Sequence, residues 1–382
     1  MGKRTDARTS VSQSRYKLET VSRACALLRK FDDDRLALSL NDIMKRTGME
    51  RTICFRLLRA LESEGFLRKA GPRKYSSNVQ ILGGMRFRIG YASQGNNSFS
   101  AAVSQSIRWA ARARQLDLIE FENNYSPKAA LHNAEMLVKE GVDLAIEFQT
   151  YDRIGTRLSN LFHEATIPVV ALEVPQPGAL FFGVDNHKVG QLAGKTLIRT
   201  VQTKWHGEFD ELILLDIDIA GSVPNIRLSS AHAVLRKGLA GTWLTTHIES
   251  RGEFLRSFEM TRKHLRFNAK RRTLVVGVND FSALGALRAF AESGCRDYCY
   301  AVGLGGVPEA FRELRMPNPR LVGTVGFFPE NYGDPVITLA LDILHHKTVP
   351  PATYAQVQLI TPENVSRFYP KDIFERTEVG EF

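Results

Sequence analysis

Through roughly the first eighty residues, apolar positions recur every three or four residues, which is the spacing of amphipathic helices. A first helix is predicted from Tyr16, and it ends at the acidic run 32–34. Ser39 is followed three residues later by Asp42, a capping-box arrangement that predicts the start of a short second helix. Gly48 closes this second helix in a tight turn.

A third helix is predicted from about Glu50 to Glu64. Its apolar stripe, which we expect to be buried, consists of Cys54, Leu57, Leu58 and Leu61. Segments 66–70 and 73–77 then predict two short strands around a turn. This order suits DNA binding, because a third helix fits the major groove and a basic hairpin reaches the flanking phosphates. The residues predicted to contact DNA are Arg46, Arg51, Thr52, Phe55, Arg56, Arg73 and Lys74.

After residue 86 the pattern changes, and short apolar runs alternate with helical segments. One series extends to about residue 174, and a second begins with a helix predicted from His187 to Thr203. Strands that alternate with helices form parallel sheets covered by helices on both faces. The predicted fold class is therefore α/β: a winged helix–turn–helix followed by two linked, doubly wound parallel sheets.

The net charge of +10 is concentrated in the helical part. Residues 1–85 carry 18 Lys and Arg against 9 Asp and Glu, whereas the remaining residues carry 33 against 32. Such an asymmetry indicates a polyanionic partner for the first part, most often nucleic acid. The alternative is a three-helix interaction module whose arginines are only solvated.

The composition excludes several classes of protein. With 43% hydrophobic and 24% charged residues in a chain of 382, a disordered or fibrous protein is excluded. The polar, basic start has no apolar signal core and no apolar run reaches about 18 residues, so we expect a cytoplasmic protein without a membrane span. The pair Cys295 and Cys299 has no histidines at zinc-ligand spacing, and the chain has no phosphate-binding glycine loop. We therefore expect no metal, no cofactor and no catalytic activity.

Ligands of open parallel sheets bind beyond the carboxyl ends of the strands, so residues that follow the predicted strands are candidates for a binding site. For each of them a role as a helix cap or turn residue is the alternative; Asp280, for example, precedes a predicted helix as an N-cap would. Phe99 is included because aromatic rings stack on the apolar faces of sugars. The candidates are Ser93, Asn97, Phe99, Gln149, Glu173, Asn225, Arg227, Asn279 and Asp280.

The run from Tyr16 to Ser77 resembles the winged helix–turn–helix of IclR-type transcription regulators. The resemblance is carried by TVSRACALLRKF, by LSLNDIMKRTGMERTICFRLLRALESEGFLRK and by KYSS. It implies that this part of the chain binds double-stranded DNA. The match departs from the family at Glu50 and Ile53.

The larger part resembles the periplasmic-binding-protein-like effector domain of LacI-type regulators and ribose-binding proteins, through NNSFS, KEGVDLAIEF, IPVVALEV, GVDNHKVGQLAGKTL, RLSSAHAVL and VNDFSALGALRAF. The resemblance implies two lobes that close over a small ligand, with Asn97, Phe99 and Asp280 in contact with it. It also implies lobe crossings near Gly183, Phe328 and Gln358. The departures predict a less polar pocket than a typical sugar site. The usual ligand-binding arginine falls on Asn225, Arg227 matches a more structural arginine, and the usual aspartate falls on Glu173. A late polar position of the site falls on Phe327 or Phe328, which makes Phe327 the tenth candidate, and VGLG replaces VGFD.

The predicted organisation is a disordered basic arm (1–14), a winged helix–turn–helix (15–78), a linker (79–86), an effector domain (87–372) and a tail (373–382). Lobe 1 is predicted at about 87–183 and 328–357, and lobe 2 at about 184–327 and 358–372. The predicted function is a ligand-responsive transcription regulator, a repressor, that senses a sugar or sugar derivative. We expect a homodimer or higher homo-oligomer on a pseudo-palindromic operator. The alternatives are a solute-binding transport protein and an α/β enzyme fused to a DNA-binding unit.

Overall fold

The computed structural model describes residues 18–31, 37–77, 87–268 and 270–370. The chain divides into two compact units, Met1–Arg86 and Phe87–Phe382. The arm, linker and tail predicted from the sequence lie outside the described residues. Within the part of the chain that is described, no helix has the length and apolar character needed to cross a membrane.

The described residues of the first unit fold as three helices and a small antiparallel sheet. Its elements are α1 (Glu19–Leu28), β1 (Leu38–Ser39), α2 (Leu40–Thr47), α3 (Arg51–Ser63), β2 (Leu67–Lys69) and β3 (Lys74–Ser77). The predicted capping box is confirmed, because the Ser39 hydroxyl accepts a hydrogen bond from the Asp42 N–H and Asp42 accepts one from the Ser39 N–H. The predicted stripe of α3 is buried, while β1, which pairs with β3, was not predicted.

The second unit contains two sheets, each covered by helices. Its strands are β4 (Arg88–Ser93), β5 (Asp117–Glu122), β6 (Leu144–Glu147), β7 (Val169–Leu172), β8 (Leu180–Gly183), β9 (Glu211–Asp216), β10 (Leu244–Glu249), β11 (Thr273–Gly277), β12 (Cys299–Gly305), β13 (Leu321–Gly326), β14 (Ala352–Tyr354) and β15 (Gln358–Ile360). Its helices are α4 (Ser98–Ala113), α5 (Pro127–Glu140), α6 (Gly155–Glu164), α7 (Asn186–Lys204), α8 (Ser222–Gly238), α9 (Phe254–Asn268), α10 (Asp280–Glu292), α11 (Pro308–Leu314), α12 (Gly333–Leu344) and α13 (Val365–Phe368).

The two sheets define two lobes. Lobe 1 is built on the sheet β14-β8-β7-β6-β4-β5, in which all neighbouring strands are parallel. Lobe 2 is built on the sheet β10-β9-β11-β12-β13-β15, in which only β15 is antiparallel to its neighbour. The chain therefore leaves lobe 1 after β8, returns after β13 and crosses again between β14 and β15. The carboxyl ends of the parallel strands are the edges at which a ligand site is expected.

The structure corrects two boundaries predicted from the sequence. Helix α8 was expected from Leu228 but begins at Ser222, directly after Gly221, whose φ of +76° suits glycine. Pro224 fits there because the first turn of a helix needs no N–H donors. The N-cap of α10 is Asn279, which accepts a hydrogen bond from the Ser282 N–H at 2.9 Å, and not Asp280. The Asp280 carboxylate is thereby available for other partners.

Candidate functional site

The outward face of α3 is basic. Arg51, Thr52 and Arg56 are exposed, and the Phe55 side chain is 49% exposed although it is aromatic. The opposite face packs into the core of the first unit, so α3 presents these four side chains together. Arginines on the first turns of an exposed helix are the groups that read guanine edges in a major groove.

The hairpin between β2 and β3 carries the other predicted DNA contacts. Arg73 has a φ of +60° in the turn, and both Arg73 and Lys74 are exposed. Their side chains suit contacts to phosphates, which set the position of a protein on DNA. Arg46 is also exposed at the end of α2, where its guanidinium donates to the Lys30 carbonyl at 3.4 Å.

A cavity lies between the carboxyl ends of the two sheets in the second unit, and it encloses about 670 Å³ of space including its mouth. Lobe 1 contributes Gln94, Asn97, Phe99, Phe148, Thr150, Glu173 and Val174. Lobe 2 contributes Ile217, Ala220, Pro224, Arg227, Val278, Asn279, Asp280, Phe281, Leu304, Gly305, Val307 and Phe327. Because both lobes line it, a bound molecule would touch both.

Seven of the ten predicted ligand-binding residues line this cavity: Asn97, Phe99, Glu173, Arg227, Asn279, Asp280 and Phe327. Ser93, Gln149 and Asn225 lie outside it. The buried Ser93 hydroxyl donates to the Phe121 carbonyl at 3.3 Å, and the Gln149 side-chain carbonyl accepts from the Tyr151 N–H. Asn225 accepts from the Ile217 N–H at 3.0 Å, so its amide stabilises the turn before α8.

Glu173 and Arg227 form a buried polar group that joins the lobes. The Arg227 Nη2 and Glu173 Oε2 atoms are 3.8 Å apart. Arg227 also donates to the Asn186 side chain at 2.8 Å and to the Val278 carbonyl at 3.1 Å, while Tyr332 donates to Glu173 at 2.5 Å. Burial raises the pKa of Glu173, and the Arg227 guanidinium opposes that rise. Arg227 thus has its structural contacts and still faces the cavity.

The Asp280 carboxylate is completely buried and organises the end of β12. It accepts hydrogen bonds from the Thr324 hydroxyl at 2.6 Å and from the N–H groups of Gly306 and Val307 at 2.6 and 3.0 Å. A Cβ at Gly303 would lie 2.1 Å from this carboxylate, so glycine is required there. Burial raises the pKa of Asp280 to about 6, although its hydrogen-bond donors act in the opposite direction.

Aromatic rings form one wall of the cavity. The Phe99 ring meets the rings of Phe148, Phe327 and Tyr332 edge-to-face, with centroids 6.1 to 6.4 Å apart. The Arg227 guanidinium lies over the Phe327 ring, 5.3 Å from its centroid. These contacts fix Phe99 and Phe327 at the surface that a ligand would meet.

Among the residues that the structure describes, no group of three or more His, Cys, Asp or Glu side chains is arranged to hold a metal ion. Cys295 and Cys299 are buried free thiols. The polar chemistry of the cavity therefore lies in its carboxylates, amides and single arginine.

The raised pKa of Asp280 predicts a pH-dependent stability. Because folding raises this pKa from 3.8, the folded chain holds the proton more tightly than the unfolded chain does. The unfolding free energy should therefore fall as the pH rises from about 4 to about 6, by about 3 kcal/mol at most. Urea denaturation of the natural chain and of Asp280→Asn measures this, since the variant lacks the titrating group. A difference between the two chains that stays constant across this window would contradict the prediction.

Comparison with known proteins gave two family matches. Residues 20–71 match the model described as the IclR helix-turn-helix domain, and residues 91–348 match that described as the periplasmic binding protein domain. No curated protein matches the chain significantly.

Solved structures similar to the second unit include three transport proteins. An ABC transporter solute binding protein from Mycobacterium smegmatis with bound glycerol has a TM-score of 0.67 and 22% identity, and the alignment covers 74% of this chain and 96% of that one. The periplasmic binding protein component of the arabinose ABC transporter from Shewanella sp. ANA-3, bound to L-arabinofuranose, has a TM-score of 0.66 and 19% identity, and the alignment covers 77% of this chain and 99% of that one. An ABC transporter solute binding protein from Bacillus halodurans C-125 with bound myo-inositol has a TM-score of 0.64 and 18% identity, and the alignment covers 74% of this chain and 97% of that one. At these identities the similarity shows the fold alone.

Proposed function

Because the chain belongs to the family of periplasmic binding protein domains and also carries an IclR helix-turn-helix domain, we propose that it is a transcription regulator controlled by a small metabolite. The observation that carries this proposal is the union, in one chain, of an exposed basic α3 and a cavity lined by both lobes. A solute-binding transport protein needs no basic α3, so that alternative is not favoured. Both matched domains are of binding types, which gives no support to an enzyme.

We propose a sugar or sugar derivative as the effector. The similar transport proteins were solved with glycerol, arabinofuranose and myo-inositol, all polyhydroxylated. The cavity offers the matching groups: a carboxylate and an amide from lobe 1, Glu173 and Asn97, and the Arg227 guanidinium from lobe 2.

Control would operate by a shift between lobe arrangements. An effector that touches Glu173 on lobe 1 and Arg227 on lobe 2 binds most tightly when the lobes are close together. It shifts the equilibrium towards this closed arrangement by the difference between its binding free energies for the closed and open arrangements. The Ser98 hydroxyl of lobe 1 also donates to Glu309 of lobe 2 at 2.8 Å, which adds a direct contact between the lobes.

The remaining parts of the proposal concern assembly and place of action. A single three-helix unit makes few base contacts, so we propose a homodimer or higher homo-oligomer on a pseudo-palindromic operator. We propose that it acts in the cytoplasm, where a DNA-binding domain has access to the chromosome. We also propose that it acts as a repressor.

The test begins with genomic fragments captured by the full chain and then measures their binding with and without a panel of sugars, sugar acids and polyols. At least one compound should change the DNA affinity. Asp280→Ala should abolish this response, because the Asp280 carboxylate holds Thr324 and the N–H groups of Gly306 and Val307 at the edge of the cavity. DNA binding in the absence of effector should be unchanged, because α3 belongs to the other unit.

Two further variants control for a folding defect. Asp280→Asn keeps the size of the side chain and should fold, and Asp342→Ala removes a half-buried acid that pairs with Lys347 at 2.7 Å outside the cavity. The latter should respond to effector as the natural chain does. A normal response from Asp280→Ala, or no sequence-selective DNA binding by the natural chain, would refute the proposed function.

A further inference from the structure

The strand ends of lobe 2 form an apolar wall in the cavity. Four neighbouring strands, β9, β11, β12 and β13, each place one apolar residue there: Ile217, Val278, Leu304 and Phe327. The Val278 N–H donates to Leu215 at the end of β9, and the Phe327 N–H donates to Gly305 at the end of β12. These bonds join the ends of neighbouring strands in pairs, so the four residues lie along one edge of the sheet.

Asn279 and Asp280, which also line the cavity from lobe 2, are hydrogen-bonded within the protein. The Asn279 amide accepts from the Ser282 N–H and donates to the Gly252 carbonyl at 2.8 Å. The Asp280 carboxylate accepts the three hydrogen bonds described above. Among the polar side chains of lobe 2 that line the cavity, Arg227 has further N–H groups besides those bonded to Asn186 and Val278.

Lobe 1 supplies further polar groups to the cavity. Lobe 1 presents Asn97, Thr150 and Glu173 beside the rings of Phe99 and Phe148. The Gln94 amide donates to the Thr150 hydroxyl at 2.6 Å and holds it in place. A ligand in this cavity thus meets polar groups from lobe 1 and Arg227, and hydrocarbon at the strand ends of lobe 2 and at the Phe99 and Phe148 rings.

A fully hydroxylated hexose does not match this arrangement. A hydroxyl turned towards Val278 and Leu304 would lose its bonds to water without gaining a partner, whereas a methyl or methylene group would gain by burial there. Resting on the proposed function, which makes this cavity the effector site, we propose that the effector is a deoxy sugar. Its methyl or methylene group lies against the wall, and its hydroxyls face lobe 1 and Arg227.

Titration calorimetry with the full chain tests this with pairs of sugars that differ by one oxygen. L-Fucose is compared with L-galactose, L-rhamnose with L-mannose, and 2-deoxy-D-ribose with D-ribose. In at least one pair the deoxy sugar should bind about 10- to 100-fold more tightly than its parent, the range expected when an apolar pocket discriminates by one group. Parents that bind as tightly as their deoxy partners, or no binding by any of the six, would overturn the proposal.

A nearly isosteric substitution then tests whether the apolar wall causes the preference for the deoxy sugar. Val278→Thr adds a hydroxyl there and should reduce the ratio of the two affinities towards one. Val322→Thr, at a partly buried position of β13 outside the cavity, should leave the ratio unchanged. A general loss of structure would weaken both sugars of a pair equally and leave their ratio intact, which would also count against the proposal.

The result is separable from the proposed function. If a hydroxylated sugar binds better and also changes DNA affinity, the deoxy-sugar proposal fails while the regulator stands. If the chain shows no selective DNA binding, the regulator fails whatever the calorimetry shows.

Discussion

Gly190→Ala should destabilise the second unit by about 3 kcal/mol, because the added methyl group overpacks a contact that only a movement of the backbone can relieve. Such substitutions lie at the upper end of the range for overpacked cores. Gly190 of α7 faces α8, and a Cβ there would lie 2.2 Å from the Arg227 carbonyl oxygen and 2.6 Å from the Ser230 Cβ. Neither atom can rotate away, so α8 must shift as a whole. Because α8 carries Arg227 into the cavity, effector binding should weaken too. Urea denaturation and calorimetry measure the two effects.

Gly155→Ala is the matched control. Gly155 is the first residue of α6, and the nearest atom to an added Cβ would be 3.5 Å away, which is an ordinary contact. This variant should be as stable as the natural chain or up to about 1 kcal/mol more stable, because alanine adopts the helical backbone of Gly155 without strain. If Gly190→Ala proves equally stable, α7 and α8 do not approach as closely as the structure indicates.

The alternation of apolar runs and helical segments was enough to predict the fold. In the first unit, helical spacing alone identified the buried stripe of α3, and Ser39 with Asp42 identified the start of α2. In the second unit, strands buried on both faces are apolar throughout, and such runs are distinct from helices. Local signals of this kind survive because tertiary packing reinforces them.

The site was harder to predict because side chains one residue apart along a strand lie on opposite faces of the sheet. Ser93 and Gln149 were predicted, but the next residues, Gln94 and Thr150, are the ones that line the cavity. Side chains alternate along an extended chain, so an error of one position moves the prediction from the cavity to the interior of a lobe. Only the position of each strand end in three dimensions decides between the two.

The apolar wall was missed for a different reason. Polar residues that follow apolar strands are recognisable in a sequence, whereas Ile217, Val278 and Leu304 have the pattern of ordinary core positions. Phe327 was found only because a family resemblance placed a ligand contact there. The departures from that family predict a less polar pocket than a typical sugar site, which remains a prediction.

Replacing Arg51 and Arg56 together with alanine should reduce the affinity for operator DNA at least about 30-fold. Each arginine that contacts a base edge is worth about 1–3 kcal/mol, and both side chains stand exposed on α3. The folded state should not change, because neither residue belongs to the buried core of the first unit. Electrophoretic shifts at several salt concentrations measure the affinity, and circular dichroism checks the fold.

Arg59→Ala provides a control that removes the same charge from the same helix. The Arg59 guanidinium is 3.4 Å from Glu62, which lies three residues later on α3, so part of its charge is already balanced. If α3 enters the groove with its first turns, this variant should lose less than about threefold in affinity, because a surface charge contributes little at a distance in salt. Equal losses from Arg51→Ala, Arg56→Ala and Arg59→Ala would show instead that α3 acts as a diffuse positive surface. In that case the selectivity for an operator would have to come from another part of the chain.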